Sequence, residues 1–284
     1  MGARKLCARS PTWAAERYDT RFTAGLAHEG ASPAMLKPLR RAAVRVVKPR
    51  VSEETWVKLR EIDPQRITPR LRPSLGSLAT RYESLPAGSR RYATQYQRHF
   101  NQQRGTNFTL LQIGIGGEGR DGADGSALRT WQHFFPKAQI VGVDPDDKSF
   151  VNEKRISTYQ GSQVDADLLR NIARKHHHLK IIIDNGSHRP EDTRATFAIL
   201  FPFLADGGYY AIEGTRTSYW PALGGSSDVT SRATIMSMIK DLLDGLNYRD
   251  FGDHRPRCYT DSHVVAVHCY QDLVIIEKGH NTAS

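Results

Sequence analysis

The sequence predicts an α/β protein: a doubly wound, mostly parallel sheet with an antiparallel hairpin at its C-terminal edge, preceded by a basic, helical N-terminal extension. Three observations carry this. From Thr109 onward, short β-branched or aliphatic runs alternate with helical stretches, the signature of parallel βαβ units. LKIIIDN (179–185) is an unbroken aliphatic run that suits burial on both faces of a sheet. VVAVHCY and LVIIEKG, near the C-terminus, are separated only by Gln271 and Asp272 and read as a tight hairpin.

In chain order, Tyr92, Tyr96 and Phe100 recur four residues apart within RRYATQYQRHFNQQ (90–103), which places three aromatics on one helix face, a pattern typical of core. TLLQIGI (109–115) is the first strand. Ser126 is a candidate cap for a helix whose Leu128, Trp131, Phe134 and Phe135 share a face, with Pro136 as its stop. AQIVGVD (138–144) is the second strand, Arg155 to Gln160 the third, Asp165 to Lys175 a helix, LKIIIDN the fourth strand and GGYYAIE (207–213) the fifth. A helix is expected around Ala233 to Leu246, before the hairpin.

The chain has 284 residues, 39% of them hydrophobic, enough for one large α/β domain with an extension. The Pro-rich stretch DPQRITPRLRP (63–73) is a connector, so residues 1–74 are expected to form a basic arm and 75–284 the main domain. No apolar run approaches the roughly 20 residues needed to span a bilayer, and no secretory leader is evident, so a cytoplasmic location is expected. Cys7, Cys258 and Cys269 are scattered, with no zinc or redox spacing, and read as reduced and structural. The net charge of +10 is uneven: residues 1–50 hold 11 lysines and arginines against three acids. Such a tail is more often solvated than a nucleic-acid ligand, and nucleic acid is disfavoured as a partner. Met35 opens the basic amphipathic segment MLKPLRRAAVRVVKP and is a candidate start.

In a doubly wound sheet, ligands sit at the carboxyl ends of the strands. The first strand runs into Gly114, Gly116, Gly117 and Gly119, formally a G-x-G-x-x-G pattern. A pyrophosphate would need a helix to start within those glycines, whereas the charged loop RDGADG (120–125) intervenes, so a nicotinamide dinucleotide fits poorly. S-adenosylmethionine has no phosphate. Its amino-acid end can lie over Gly114 to Gly117 while Asp144, at the tip of the second strand, accepts from both ribose hydroxyls; the competing role for Asp144 is an Asx turn with Pro145. Gln160, Gly161, Ser162, Gln163 and Asp165 form a polar cluster that could hold adenine through Ser162 and Gln163, with Asp165 alternatively a helix cap. The run His176–His178 cannot converge on one ion, because consecutive residues point apart, and reads as a solvated helix end. Tyr219 and Trp220, after the fifth strand, could stack on a sugar face or pack in the core.

LLQIGIGG (110–117), GSALRTW (125–131), FPKAQIVGVDPDDKS (135–149), YQGSQVD (159–165), IIIDNGSH (181–188), IEGTRTSYWP (212–221) and LVIIEKG (273–279) together resemble the macrolide sugar O-methyltransferases of the mycinamicin and tylosin pathways. The resemblance implies a class I methyltransferase fold, methyl transfer from S-adenosylmethionine to a hydroxyl of a glycosylated natural product, use of magnesium and, in some members, oligomerisation. It implies His188 as catalytic base, the alternative being a structural hydrogen bond at a helix start. Asp184 is included among the cofactor-binding candidates.

This sequence departs from the family at the metal. An acid three residues before the histidine is Asn185 here, and an Asp directly after the strand-five Glu is Gly214. Glu213, Asn185 through its carbonyl and nearby Asp184 are the remaining magnesium candidates; the loss of family acids weakens the case for a metal and shifts catalytic weight to His188. Gln112 stands where class I enzymes often carry an acid, and ATRYESLPAG (79–88) replaces a Lys-Tyr-Gly-Thr-Asp-Lys-like stretch over the active site. The competing readings are a catalytically degenerate scaffold that keeps the cofactor fold, and an NAD-dependent oxidoreductase.

Overall fold

The computed structural model describes residues 72–82, 84, 90–116, 125–254 and 256–282, all within the unit Arg70–Ser284. The basic arm, Cys7, Met35, most of the Pro-rich connector, Gly117, Gly119 and the first five residues of RDGADG lie outside the described residues. The elements in order are α1 (Leu75–Arg81), α2 (Arg90–Phe100), β1 (Thr109–Ile113), α3 (Ser126–Phe134), β2 (Gln139–Asp144), β3 (Ile156–Gln160), α4 (Ala166–Lys175), β4 (Leu179–Asp184), α5 (Pro190–Leu200), β5 (Tyr209–Glu213), α6 (Ile235–Gly245), α7 (Tyr259–His263), β6 (Val264–Tyr270) and β7 (Leu273–Lys278). Among the described residues no helix is long and apolar enough to cross a membrane.

The seven strands lie in the order β3-β2-β1-β4-β5-β7-β6. β1 to β5 pair in parallel, and β7 runs antiparallel to both β5 and β6. The hairpin between β6 and β7 turns through Gln271 and Asp272 as expected, with Asp272 in the left-handed region at φ 65. Strand order reverses between β1 and β4, which opens the crevice at their carboxyl ends.

Each face of the sheet carries its own core. Leu111, Val141, Ile182 and Ile212 pack with Leu169 of α4, Phe197 of α5 and Ile239 of α6. Leu110, Ile140, Ile183 and Ile275 pack on the other face with Leu75 of α1, Tyr96 and Phe100 of α2 and Leu128 and Trp131 of α3. β1 and β4, buried on both sides, are where continuous aliphatic runs were needed.

Two local expectations are corrected. Ser126 is not a cap: Gly125, at φ 74, makes the turn into α3, and a Cβ there would meet Val151 Cγ1 at 2.2 Å, so Ser126 is already helical. β3 begins at Ile156; Arg155 just before it accepts from the Ile140 amide through its carbonyl, and its guanidinium donates to the carbonyls of Gln132, Phe135 and Ala138 at the end of α3. Asp165 caps α4, its Oδ1 accepting from the amides of Asp167 and Leu168. Cys258 and Cys269 are free but exposed, not interior. α5 had a readable signal, Pro190 at its first turn followed by Glu191 and Asp192.

Candidate active site at the carboxyl edge of the sheet

The turn after β1 is built on left-handed glycines. Gly114 (φ 78) donates to the Val143 carbonyl, and a Cβ there would sit 2.1 Å from the Asn185 carbonyl oxygen, so the loops after β1 and β4 touch backbone to backbone. Among the described residues, nothing lies within 4 Å of where a Cβ on Gly116 (φ 80) would be. Gln112, buried within β1, holds this turn from beneath: its Nε2 donates to the Gly114 carbonyl at 2.7 Å, and its Oε1 accepts from Trp131 Nε1 of α3 at 2.9 Å. An amide does both, whereas a carboxylate could only accept. Gln112→Leu would leave two buried polar groups unpaired and is expected to cost roughly 2–4 kcal/mol in denaturant unfolding. Gln112→Glu is expected to recover only part of that loss.

Asp144, buried at the tip of β2, faces the same turn: its Oδ2 accepts from the Ile115 amide at 2.8 Å. Its Oδ1 accepts from Asp146 N at 3.1 Å, so the Asx turn is present as well. Each oxygen keeps a lone pair for another donor.

The polar cluster after β3 divides. Both ends of the Gln163 amide are engaged inside the protein, Oε1 with Ser187 N at 2.7 Å and Nε2 with Thr196 Oγ1 of α5 at 3.1 Å. Gln163 is thus a strut under the loop after β4, while the Ser162 hydroxyl takes only a long bond from Val164 N, 3.3 Å. His176 bonds the Tyr159 hydroxyl, and His177 and His178 are exposed, so the three do not gather.

β4 and β5 end side by side in acids. Asp184 is 2% exposed, its Oδ2 has no hydrogen-bond partner, and burial, with a smaller contribution from Glu213, raises its pKa to about 7. Glu213 accepts from the Tyr96 hydroxyl at 2.7 Å; burial likewise raises its pKa to about 7, against the lowering effect of that bond. The α2 stripe therefore serves the site as well as the core. Tyr92 donates to the Asp272 carbonyl in the β6–β7 turn, and the Asp272 carboxylate pairs with Arg216 at 3.2 Å. A buried Tyr needs a partner for its hydroxyl, the one signal in the sequence that this stripe had a polar task.

His188 follows β4 in the left-handed region (φ 57), strained for a non-glycine residue. The Thr217 hydroxyl donates to its carbonyl at 2.7 Å. Its imidazole lies against Gly214: a Cβ at Gly214, itself at φ 71, would be 2.4 Å from His188 Nδ1. Burial lowers the His188 pKa below the ordinary histidine value, against a smaller raising effect from the Glu213 backbone carbonyl, so the ring is neutral at pH 7 and able to accept a proton. Tyr219 and Trp220 are about half exposed beyond β5, with the Arg216 guanidinium 5.2 Å from the Trp220 ring, so they are not core.

Two of the family's acidic positions carry no acid here, Asn185 and Gly214. Gly214 offers no donor, and the His188 ring occupies the space a side chain there would take. Glu213 accepts from Tyr96 through Oε1, and the Asn185 backbone amide donates to the Ile113 carbonyl. What remains is Asp184, buried with its Oδ2 unpartnered, and the partly buried Glu213.

No family model matches the chain. Its curated relatives include the demethylmacrocin O-methyltransferase of Streptomyces fradiae, 40% identical over 215 residues, and the mycinamicin VI 2''-O-methyltransferase of Micromonospora griseorubida, 39% identical over 214 residues. Each alignment takes in 74% of this chain and 54% of the relative, so the chain spans about half the length of the curated relatives it matches. The solved MycE methyltransferase from the mycinamycin biosynthetic pathway, in complex with Mg and SAH, superposes with a TM-score of 0.70 at 38% identity over 74% of this chain and 55% of that one. The fold is that of the class I methyltransferases. The resemblance read from the motifs, to the sugar O-methyltransferases of macrolide pathways, is borne out by these relatives. Within this fold, Asp144, the Gly114–Gly116 turn, Asp184, Glu213 and His188 stand together at the carboxyl edge of the sheet, at the ends of adjacent strands β2, β1, β4 and β5.

Proposed function

We propose that the chain is an S-adenosylmethionine-dependent O-methyltransferase that acts on a hydroxyl of a sugar, or of another part of a glycosylated natural product. The observation that carries this reading is the pairing of a neutral His188 with Asp144 and an open Gly116 backbone along one edge of the sheet. The residues present are compatible with the cofactor: Gly116 is assigned to its amino-acid end, Asp144, with lone pairs to spare, to the ribose hydroxyls, and Ser162 to the adenine. Bound there, S-adenosylmethionine supplies the methyl group, whose bond to the sulfonium sulfur breaks as the bond to the acceptor oxygen forms. His188 takes the hydroxyl proton. No step is assigned to magnesium, although the mycinamycin-pathway neighbour was solved with Mg, because Asn185 and Gly214 stand where the family carries acids. Tyr219 and Trp220 are assigned to the acceptor as stacking surfaces. Residues 1–74 are assigned to an arm separate from the domain 75–284, and the reaction to the cytoplasm, in keeping with free Cys258 and Cys269.

Calorimetric titration of the full chain with S-adenosylmethionine and with NAD tests the reading. The first is expected to bind and the second not to, with binding unchanged by chelator. Asp144→Ala removes two charge-assisted hydrogen bonds and is expected to weaken binding by about 100-fold or more. Binding of NAD instead, or of neither, would overturn it.

A further inference from the structure

We propose that His99, His268 and Glu277 form a second, separate site, for one late first-row divalent cation of the zinc type. Among the described residues this is the one group whose three His, Cys, Asp or Glu ligand atoms all lie within 4.8 Å of one another. The ligands come from three elements: His99 from α2, His268 from β6 and Glu277 from β7. His268 Nε2 is 2.9 Å from Glu277 Oε1, and His99 Nδ1 is 3.8 Å from that same oxygen. Metal–ligand bonds of about 2.0–2.2 Å in a tetrahedral shell ask for ligand separations close to these, so small side-chain rotations suffice.

The surrounding bonds prepare the imidazoles. The Tyr270 hydroxyl lies 2.8 Å from His99 Nε2. Whichever of the two donates, this contact holds the His99 ring with Nδ1 turned toward Glu277, the nitrogen a cation would take. The His99 and His268 rings sit 4.3 Å apart, centroid to centroid, at 49°, whereas an ion pair with Glu277 would need only one of them. Two imidazoles and one carboxylate favour zinc over magnesium, which prefers oxygen ligands and retains its waters. The His99 side chain is 9% exposed, while those of His268 and Glu277 are 33% and 28% exposed, so the site opens to solvent on the side of β6 and β7.

This site is distinct from the methyltransferase site. Glu277 pairs with Tyr209 at the start of β5, whereas Glu213 pairs with Leu273 at its end, four residues and about 13 Å along the strand. A cation there would tie α2, whose Tyr96 holds Glu213, to the hairpin whose Asp272 receives Tyr92. A cation bound through His268 Nε2 takes the place of the hydrogen bond to Glu277, and the neutral imidazole carries its proton on Nδ1.

The full chain, stripped of metal by dialysis against chelator, is titrated with cobalt(II) and then zinc chloride. Expected are a saturable one-to-one visible absorption band of a tetrahedral cobalt centre, its displacement by zinc, and a rise in the thermal midpoint of several degrees with zinc and none with magnesium. His268→Ala and Glu277→Gln are each expected to weaken binding by tenfold or more, because the partly exposed positions tolerate substitution. His188→Ala and the exposed pair His177→Ala/His178→Ala should leave it unchanged. No saturable band, or a band that survives His268→Ala and Glu277→Gln, or one lost in either control, overturns the proposal.

Discussion

Turnover by His188→Ala is expected to fall by about 10²–10⁴-fold while the affinity for S-adenosylmethionine changes by less than about threefold. The ring is the one neutral titratable base at the carboxyl edge of β4, and its position is set from three directions: the left-handed backbone at His188, the Thr217 hydroxyl on its carbonyl and the Gly214 surface beneath its ring. The same geometry makes Gly214 nearly as sensitive. An alanine there meets a backbone angle of φ 71, which costs an L-residue roughly 1–2 kcal/mol, and its Cβ would stand 2.4 Å from Nδ1. Gly214→Ala is therefore expected to lower kcat by at least about tenfold through displacement of the imidazole, with cofactor binding intact. Release of S-adenosylhomocysteine in the presence of a glycoside acceptor measures both variants. Full activity in His188→Ala would remove the base assignment; full activity in Gly214→Ala would mean that the ring works from another position.

The second large effect is on stability and pH. Asp184 and Glu213 have folded-state pKa values of about 7 against ordinary values of 3.8 and 4.5. The folded chain keeps protons that the unfolded chain has already released, so the stability linked to these groups is full below about pH 4. It declines as the pH rises and is gone once the pH passes about 7. The slope is up to about 1.4 kcal/mol per pH unit for each group. Urea unfolding between pH 5 and 7.5 is expected to show falling stability, a shallower fall in Asp184→Asn and in Glu213→Gln, and a nearly flat profile in the double variant. With Asn185 and Gly214 in place of the family's acids, millimolar magnesium is expected to leave the wild-type profile in place. A profile flattened by magnesium alone would show that the pair is a cation site after all.

Much of this protein was readable from local pattern. Strand and helix identities follow from hydrophobic runs and periodicity, and Gly114 and Asp144 could be picked out directly at the tips of β1 and β2, whereas His188 and Glu213 were singled out through the family resemblance. Gln163 was legible as polar and near the site, but not as a strut, because its partners Ser187 and Thr196 lie 24 and 33 residues away. Ser126 misled because an N-cap motif and a left-handed glycine before it solve the same turn, and only the packing of Val151 shows which one is used.

By itself the sequence determined the α/β class, the order of the strands along the chain and the residue types at the crevice, since these depend on neighbours within one turn or one strand. The tertiary structure decided what those residues do. Tyr96 reaches Glu213 across 117 positions, and Gln112 joins Trp131 to the glycine turn. The missing side chain at Gly214 makes a seat for His188, and His99, which reads as one more polar residue on a core helix, meets two ligands from the far end of the chain. Hydrogen bonding and burial act through space, and proximity between residues remote in the chain is created only when the sheet and its covering helices close.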